Sequence, residues 1–331
     1  MMNRKHLLLV VLVVILLFSF GPAVPSEGAA VKTLKLGHIF AQDSSANLAV
    51  EMFINLVKER TNGAYSIDLF PNSQLGNERE LCEAVSMGTL DITLCGDSFV
   101  NWYTPEYGAL CGFFTWRDFD HAEKAFRSAL GDEVSNVYSE RFKTTVLDYW
   151  IRAPRYLCVQ KPMHQLSDFK GYTLRIPDDV YYFECFKALG ANPTPLAFDE
   201  IYMGLKQGTV NGLENPLEDL YNNSFYDVTQ YIIETAHQIS MFGMLINDKV
   251  LADMPADVRD IFKKSAVEAG DYQNKLMKEA ESGYRAKLEE KGMQFMLPDD
   301  FEVWRNIINT DVSEKFADTW KPGILERALA F

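Results

Sequence analysis

The chain has 331 residues, of which 47% are hydrophobic and 24% charged, and its formal net charge is −14 at pH 7. This acidic balance argues against nucleic acids and anionic membrane surfaces as partners. A chain of this length exceeds what one hydrophobic core usually organises, so we predict two domains.

The N-terminal segment has the pattern of a secretory signal peptide. Arg4 and Lys5 precede an apolar run over residues 7–20, and small residues follow up to Ala30. That run is shorter than the roughly 20 residues that a membrane-spanning helix needs. No cysteine precedes Cys82, so a lipid anchor near the cleavage site is not expected. We predict a signal peptide over residues 1–30, cleaved near Ala30, and a periplasmic protein.

Alternating strand and helix patterns in the first half predict βα units and a largely parallel sheet. Period-2 and β-branched patterns predict strands over residues 34–38, 65–70 and 92–94. Apolar residues at helical spacing predict helices over residues 45–60 and 78–87. The third strand leads directly into Asp97 and Ser98.

The second half repeats this alternation. We predict strands over residues 144–150, 155–159 and 172–176, and helices over residues 180–189 and 199–207. A helical pattern over residues 256–291 contains no proline. At about 1.5 Å per residue such a helix is roughly 50 Å long, and we expect it to lie across both domains.

Three polar residues stand in apolar, proline-punctuated segments: Arg155, Arg175 and Asn215. A guanidinium offers a planar fork of donors that fits a carboxylate, so two arginines on separate strands could hold one organic anion. The alternative is that each arginine forms a structural salt bridge, which is the usual state of a buried arginine.

Motifs of known catalytic families are absent from the sequence. We find no G-x-S-x-G, phosphate-binding loop, dinucleotide-binding G-x-G-x-x-G or H-E-x-x-H. The histidines after the first thirty residues lack ligand spacing, so neither a metal nor a cofactor is predicted. A nucleophilic pair of Cys158 and His164 lacks a third orienting group, so a core thiol is the favoured interpretation.

The chain has five cysteines, which are widely spaced and form no C-x-x-C pair. An odd number leaves at least one free thiol in a monomer, and the disulfide state stays open.

Six segments in the same order resemble one protein family. They are LKLGH (34–38), FPNSQLGNERE (70–80), PRYLCVQKP (154–162), DFKGYTLRIP (168–177), LGANPTPLAFDEIYMGLKQGTVNGLENP (189–216) and SFYDVTQYIIETAH (224–237). The ordered set resembles the extracytoplasmic solute-binding proteins of tripartite ATP-independent periplasmic (TRAP) transporters, the DctP-like group.

The resemblance implies an α/β fold built as a two-domain clamp, similar to type II periplasmic binding proteins, with hinge strands and a domain-spanning helix. It implies domain I over residues 31–152 plus 241–280, and domain II over residues 153–240 plus 281–331. It also implies a monomeric, non-enzymatic receptor. Such a receptor captures a small organic acid by domain closure and delivers it to sodium-coupled membrane permease subunits.

Position by position, the resemblance makes Arg175 the main carboxylate-binding arginine, Arg155 a second arginine at the cleft, and Asn215 a hydrogen-bonding partner of the ligand. Asp97 and Ser98 fall in a loop that sets specificity. A carboxylate at Asp97 would disfavour a second anionic group, which favours a hydroxylated monocarboxylate such as a sugar acid. Further candidate lining residues are His38, Glu78, Trp150 and Phe198.

Two other functions stay open from the sequence. A receptor of the same fold could feed a signalling partner, and a periplasmic enzyme could use the same scaffold.

Overall fold

The computed structural model describes residues 31–331, apart from the side chain of Ala280, so the predicted signal peptide lies outside the described residues. The strands are β1 (Lys32–Gly37), β2 (Tyr65–Phe70), β3 (Ile92–Gly96), β4 (Thr144–Ile151), β5 (Arg155–Val159), β6 (Thr173–Ile176), β7 (Asn192–Pro195), β8 (Gly212–Asn215), β9 (Tyr231–Gln238), β10 (Met241–Asn247) and β11 (Gln294–Met296).

The α-helices are α1 (Ser45–Arg60), α2 (Glu78–Met87), α3 (Ser98–Tyr103), α4 (Phe119–Phe126), α5 (Ala129–Phe142), α6 (Val180–Ala188), α7 (Ile201–Gln207), α8 (Leu217–Asn222), α9 (Asp248–Ala252), α10 (Ala256–Glu290), α11 (Phe301–Ile307), α12 (Ser313–Phe316) and α13 (Ile324–Leu329). Within residues 31–331, no helix combines the length and the apolar character needed to cross a membrane.

The first sheet has the strand order β2-β1-β3-β10-β4. Strands β1, β2 and β3 are parallel, whereas β10 runs antiparallel to both β3 and β4. Helix α1 begins at the cap Ser44, whose side chain accepts a hydrogen bond from the backbone N–H of Asn47. It packs Phe53 and Val57 into the core of this sheet.

The second sheet has the strand order β11-β9-β5-β8-β6-β7. Strands β6, β7 and β8 are parallel, but β5 is antiparallel to its neighbours β8 and β9. Both sheets are therefore mixed, and the expectation of a largely parallel sheet is wrong.

The reason lies in two crossings between the sheets. The chain leaves β4 for β5 through residues 152–154 and returns from β9 to β10 through residues 239–240. Two adjacent segments that cross in opposite directions must be antiparallel to each other in both sheets. They also approach closely between the sheets, where the Arg152 N–H donates to the Ser240 carbonyl at 2.9 Å.

Helix α10 packs against both halves of the molecule. Phe262, Ala266 and Ala269 lie in the core of the first sheet, and Leu288 lies in a core cluster of the second. A Cβ on Gly270 would lie 2.4 Å from Trp150 and 2.6 Å from the Asp148 carboxylate. Only glycine therefore allows the helix to lie this close to β4.

The C-terminal helix α13 packs on the first sheet's side. Ile324 and Ala328 join a core cluster that also contains Phe99, Leu245 and Ile151. The boundaries predicted from the sequence place residues 281–331 in domain II, whereas the structure packs α13 against the first sheet.

Candidate functional site

A cavity of about 260 Å³ opens between the two sheets. The first sheet's side contributes Ile39, Phe40, Glu78, Gly96, Asp97 and Ser98, and the second contributes Arg175, Pro177, Tyr182, Leu196, Phe198 and Asn215. Arg152 and Arg155 line it from the crossing segment and the start of β5. Pockets for drug-sized ligands span roughly 300–1,000 Å³, so this cavity fits a smaller molecule.

The lining side chains stand where strands end. Strand β3 ends at Gly96 just before Asp97, and β8 ends at Asn215. Arg175 is the penultimate residue of β6, followed by Ile176 and the strand-ending Pro177. In open α/β sheets ligands bind outside the carboxyl ends of the strands, and this cavity has that position.

Arg175 is buried and has no carboxylate partner among residues 31–331. Its Nε and Nη2 both donate to the Leu196 carbonyl, at 3.0 and 2.8 Å. Burial and the neighbouring Arg155 lower the pKa of Arg175 to about 10, although the Glu214 carboxylate raises it. The guanidinium stays charged at neutral pH, and its Nη1 makes no hydrogen bond to a described residue.

Arg155, by contrast, is paired inside the protein. Its Nε and Nη2 lie 2.5 and 2.8 Å from the two carboxylate oxygens of Glu214. The two side chains are only 4% and 0% exposed. Burial opposes ionisation of Glu214, but the charge and hydrogen bonds of Arg155 lower its pKa to about 2. In the structure, Arg155 therefore forms a structural salt bridge, which was the alternative interpretation of the sequence.

His237 completes this buried network. Its Nε2 lies 3.4 Å from Glu214 Oε2, and its Nδ1 lies 2.8 Å from the Thr235 hydroxyl. Burial lowers the pKa of His237, so the ring is neutral at pH 7. In the tautomer that suits both neighbours, Nε2–H donates to the carboxylate and Nδ1 accepts from Thr235.

Arg152 is a third arginine of the cavity and was not among the site residues predicted from the sequence. Its Nη2 donates to Asp219 Oδ2 at 2.5 Å and to Asn215 Oδ1 at 3.2 Å. Its guanidinium packs over the Phe242 ring, 4.7 Å from the centroid. Arg152 thus contacts strand β10 of the first sheet, the last residue of β8 in the second sheet and Asp219 on α8.

The contact with Arg152 fixes how Asn215 faces the cavity. A guanidinium only donates hydrogen bonds, so Asn215 must present its oxygen to Arg152. Its Nδ2 is then directed elsewhere, and this buried donor has no partner among the described residues. A buried amide donor without a partner is costly, and an acceptor oxygen placed in the cavity would satisfy it.

Asp97 and Ser98 lie where β3 gives way to α3, and both line the cavity. Asp97 Oδ2 accepts a hydrogen bond from Gln238 Nε2 at 2.8 Å. Burial raises the pKa of Asp97 to about 7, with Arg155 and Arg152 opposing that rise. Near neutral pH this carboxyl group therefore exists in both protonated and ionised forms.

The four further candidates differ in location. Glu78 lines the cavity, and its Oε1 accepts from the Gly96 N–H at 2.6 Å; Phe198 also lines it. His38 and Trp150 are fully buried and are not part of the cavity wall. The Trp150 indole donates to the Ala266 carbonyl at 3.0 Å, and His38 Nδ1 accepts from the Phe40 N–H at 3.2 Å.

Three further residues of the cavity wall, Arg79, Trp102 and Asp178, contact one another across the two halves and were not predicted from the sequence. Arg79 lies 2.9 Å from the Asp178 carboxylate and 4.4 Å from the Trp102 ring centroid. The Trp102 indole donates to the Asp178 carbonyl at 2.5 Å. These contacts join α2 and α3 to the loop after β6, so the structure is closed on this side.

Nothing in the site resembles a metal centre or a nucleophile with its base. No group of three His, Cys, Asp or Glu side chains within residues 31–331 is arranged to hold a metal ion. Cys158 contacts the Thr229 hydroxyl at 3.0 Å and has no contact with His164.

Comparisons with known proteins give a consistent result. Residues 36–319 match the model of the DctP family, described as bacterial extracellular solute-binding protein, family 7. A solute-binding protein of Roseobacter denitrificans is 30% identical over 264 residues, which are 80% of this chain and 81% of the relative.

Two crystal structures illustrate the similarity of fold. A TRAP periplasmic solute-binding protein from R. denitrificans with bound L-galactonate has a TM-score of 0.82 and 28% identity, covering 88% of this chain and 98% of that one. A second, from Polaromonas sp. bound to D-erythronate, has a TM-score of 0.86 and 26% identity, covering 90% and 98%.

Proposed function

The chain belongs to bacterial extracellular solute-binding protein family 7, and from this membership we propose that it is the periplasmic receptor of a TRAP transporter. The receptor captures a small organic acid in the cavity between its sheets. It delivers the acid to the transporter's membrane permease subunits, which use a sodium gradient. Its relatives are solute-binding proteins, and no catalytic step is part of the proposal.

The observation that carries the proposal is the unpaired charge of Arg175. The three other arginines of the cavity each pair with a carboxylate: Arg79 with Asp178, Arg152 with Asp219 and Arg155 with Glu214. Arg175 is buried against a carbonyl alone. A buried charge without a counterion is costly, so this site is completed by an anion.

The remaining free donors support a carboxylate as that anion. Arg175 and Asn215 line the same cavity, and neither Arg175 Nη1 nor Asn215 Nδ2 makes a hydrogen bond to a residue within 31–331. One carboxylate has two oxygens that can accept from both.

The acidic side of the cavity favours hydroxyl groups at the other end of the ligand. Glu78 and Asp97 line the wall opposite Arg175, and their oxygens can accept hydrogen bonds from hydroxyls. A second carboxylate there would meet like charge. We therefore propose a hydroxylated monocarboxylate such as an aldonic or other sugar acid.

A thermal-shift screen tests this function. The protein is unfolded, stripped of ligand, refolded and mixed with L-galactonate, D-erythronate, succinate and other organic acids. Ligand at about 100 times its Kd adds roughly 2.7 kcal/mol to the free energy of unfolding, which raises Tm measurably. Galactitol, which lacks the carboxylate, is the matched control. If no acid in a broad panel raises Tm above the galactitol control, the proposed function is wrong.

Asp97→Asn is expected to shift the preference between monoacids and diacids. Removing the carboxyl group removes the repulsion that its ionised form exerts on a second anionic group. Affinity for succinate should rise relative to affinity for sugar monoacids, and calorimetric titration of both ligands measures the ratio. An unchanged ratio in a folded variant would show that Asp97 has no part in specificity. Asp253→Asn, in a surface pair with Lys249 and not part of the cavity wall, serves as the control.

Loss of Arg152 is expected to weaken ligand binding about tenfold, because Asn215 is then free to turn its amide donor away. The test uses a double variant that carries both Arg152→Met and Asp219→Asn, so that no buried carboxylate is left without its partner. In an Asn215→Ala background the same two changes should weaken ligand binding less than about twofold, since there is no amide left to orient. A tenfold loss that persists in that background would contradict a positioning role.

Ligand binding is expected to shift the two halves toward the closed form. The contacts of Arg79 and Trp102 with Asp178 join the two halves, and the ligand favours the state in which it touches both. Small-angle scattering should show a smaller radius of gyration at saturating ligand than without it. An unchanged radius would rule out the clamp mechanism.

A further inference from the structure

Two of the five cysteines lie side by side in the core of the first sheet. Cys82 is on α2 and Cys95 is on β3, and their sulfur atoms are 2.9 Å apart. Both side chains are fully buried. We propose that Cys82 and Cys95 form a structural disulfide in the exported protein, a proposal that rests on the proposed periplasmic location.

The position of the pair supports a covalent link. Helix α2 packs directly on β3, and the helix-to-strand contact continues at Glu78, whose carboxylate binds the Gly96 N–H at 2.6 Å. A disulfide has a bond of roughly 2.04 Å between its sulfurs, so these two atoms, 2.9 Å apart, need to approach by only about 0.9 Å. Disulfides form and persist in oxidising compartments such as the bacterial periplasm.

The other three cysteines have different neighbours. Cys111 Sγ lies 3.6 Å from the Asp97 carbonyl, and Cys158 Sγ lies 3.0 Å from the Thr229 hydroxyl. Within residues 31–331, neither these two nor the buried Cys185 lies within hydrogen-bonding distance of another sulfur. The odd number of cysteines is thus divided into one pair and three thiols.

The oxidant is a protein disulfide in the periplasm, and the reaction is thiol–disulfide exchange. One cysteine, as a thiolate, attacks the donor disulfide, forms a mixed disulfide and releases one donor thiol. The second cysteine then attacks the sulfur of the first, which forms the Cys82–Cys95 bond and releases the second donor thiol. The two protons and two electrons leave on the reduced donor.

Exchange has to precede the completion of folding. Both thiols are inaccessible in the folded protein, and burial raises the pKa of Cys95, which suppresses its thiolate. Once formed, the bond ties the helix that starts at Glu78 to the strand that ends beside Asp97. It therefore stiffens one wall of the ligand cavity.

Counting thiols tests the proposal. The full chain is exported with its own residues 1–30, denatured without reductant, alkylated with N-ethylmaleimide and weighed intact. We expect three labels without reductant and five after reduction. After proteolysis, the peptide or peptides that carry Cys82 and Cys95 should have a mass about 2 Da below that expected with both cysteines as thiols. The chain without residues 1–30, kept in a reducing cytosol, should take five labels at once.

Single substitutions make the test specific. Exported Cys82→Ser or Cys95→Ser should take four labels without reductant, one more than the wild type, because the partner is released. Exported Cys158→Ser should take two. Five labels on the exported wild type, or a link between other cysteines, would overturn the proposal. Because the label count needs no ligand, that result in a protein that still binds an organic acid would leave the proposed function intact.

Discussion

Arg175→Ala is expected to weaken binding of the organic acid by a hundredfold to several thousandfold, which corresponds to about 3–5 kcal/mol. The ligand carboxylate would be buried with no counterion, since the three other arginines of the cavity already pair with Asp178, Asp219 and Glu214. Arg175→Lys should recover only part of the loss, because an ammonium group lacks the planar fork of donors.

Calorimetric titration of both variants with the tightest-binding acid of the screen measures this effect, after circular dichroism has confirmed folding. Arg60→Ala is the matched control, because Arg60 pairs with Glu268 on the surface far from the cavity. If folded Arg175→Ala binds the acid as tightly as the wild type, our assignment of the binding site is wrong. Arg155→Ala is expected to affect affinity less than Arg175→Ala, because Arg155 is occupied by Glu214.

Glu214→Gln is expected to lower the free energy of unfolding by about 3–5 kcal/mol at neutral pH. The substitution keeps the shape of the side chain but leaves the Arg155 charge buried without its counterion. Glu268→Gln, on the surface pair with Arg60, should change stability by less than about 1 kcal/mol.

The effect of Glu214→Gln should depend on pH in a defined direction. Despite burial, Arg155 lowers the pKa of Glu214 to about 2 from an ordinary value near 4.5. The stability that ionised Glu214 contributes is therefore present above the ordinary pKa and is lost as the pH falls through about 2. In urea unfolding, the difference in free energy of unfolding between wild type and variant should become smaller from pH 5 to pH 2. A difference that stays constant would contradict the role of this ion pair.

The helices and strands were the most predictable part of the fold. Residues 45–60, 65–70, 78–87 and 155–159 match α1, β2, α2 and β5 at both ends. Their boundaries carry local signals, such as the capping box formed by Asn77 and Glu80 at the start of α2. The predicted helix over residues 199–207 differs, because its first turn is a 3₁₀ helix, Phe198–Glu200.

Strand direction was less predictable, because it depends on contacts between distant segments. Local patterns show that residues 155–159 form a strand. They do not show that β5 lies between β8 and β9 and runs antiparallel to both. The antiparallel pairing of β5 with β9 follows from the two crossings between the sheets, which no short window of sequence contains.

The site was predictable only where a residue's neighbours in sequence revealed its setting. Arg175 and Asn215 precede prolines at strand ends, and the structure places both at the cavity. Arg152 was missed because its role depends on Asp219 and Asn215, more than sixty residues later. No local pattern distinguishes it from Arg155.

The close contact at Gly270 also has a mechanical consequence. The part of α10 before Gly270 is seated on the first sheet, whereas Leu288 near its end belongs to the core of the second. In the closure proposed above, α10 would pivot where Gly270 meets Trp150. A methyl group at Gly270 would push the helix away from β4, so we expect a substitution there to change the angle between the halves without touching the ligand cavity.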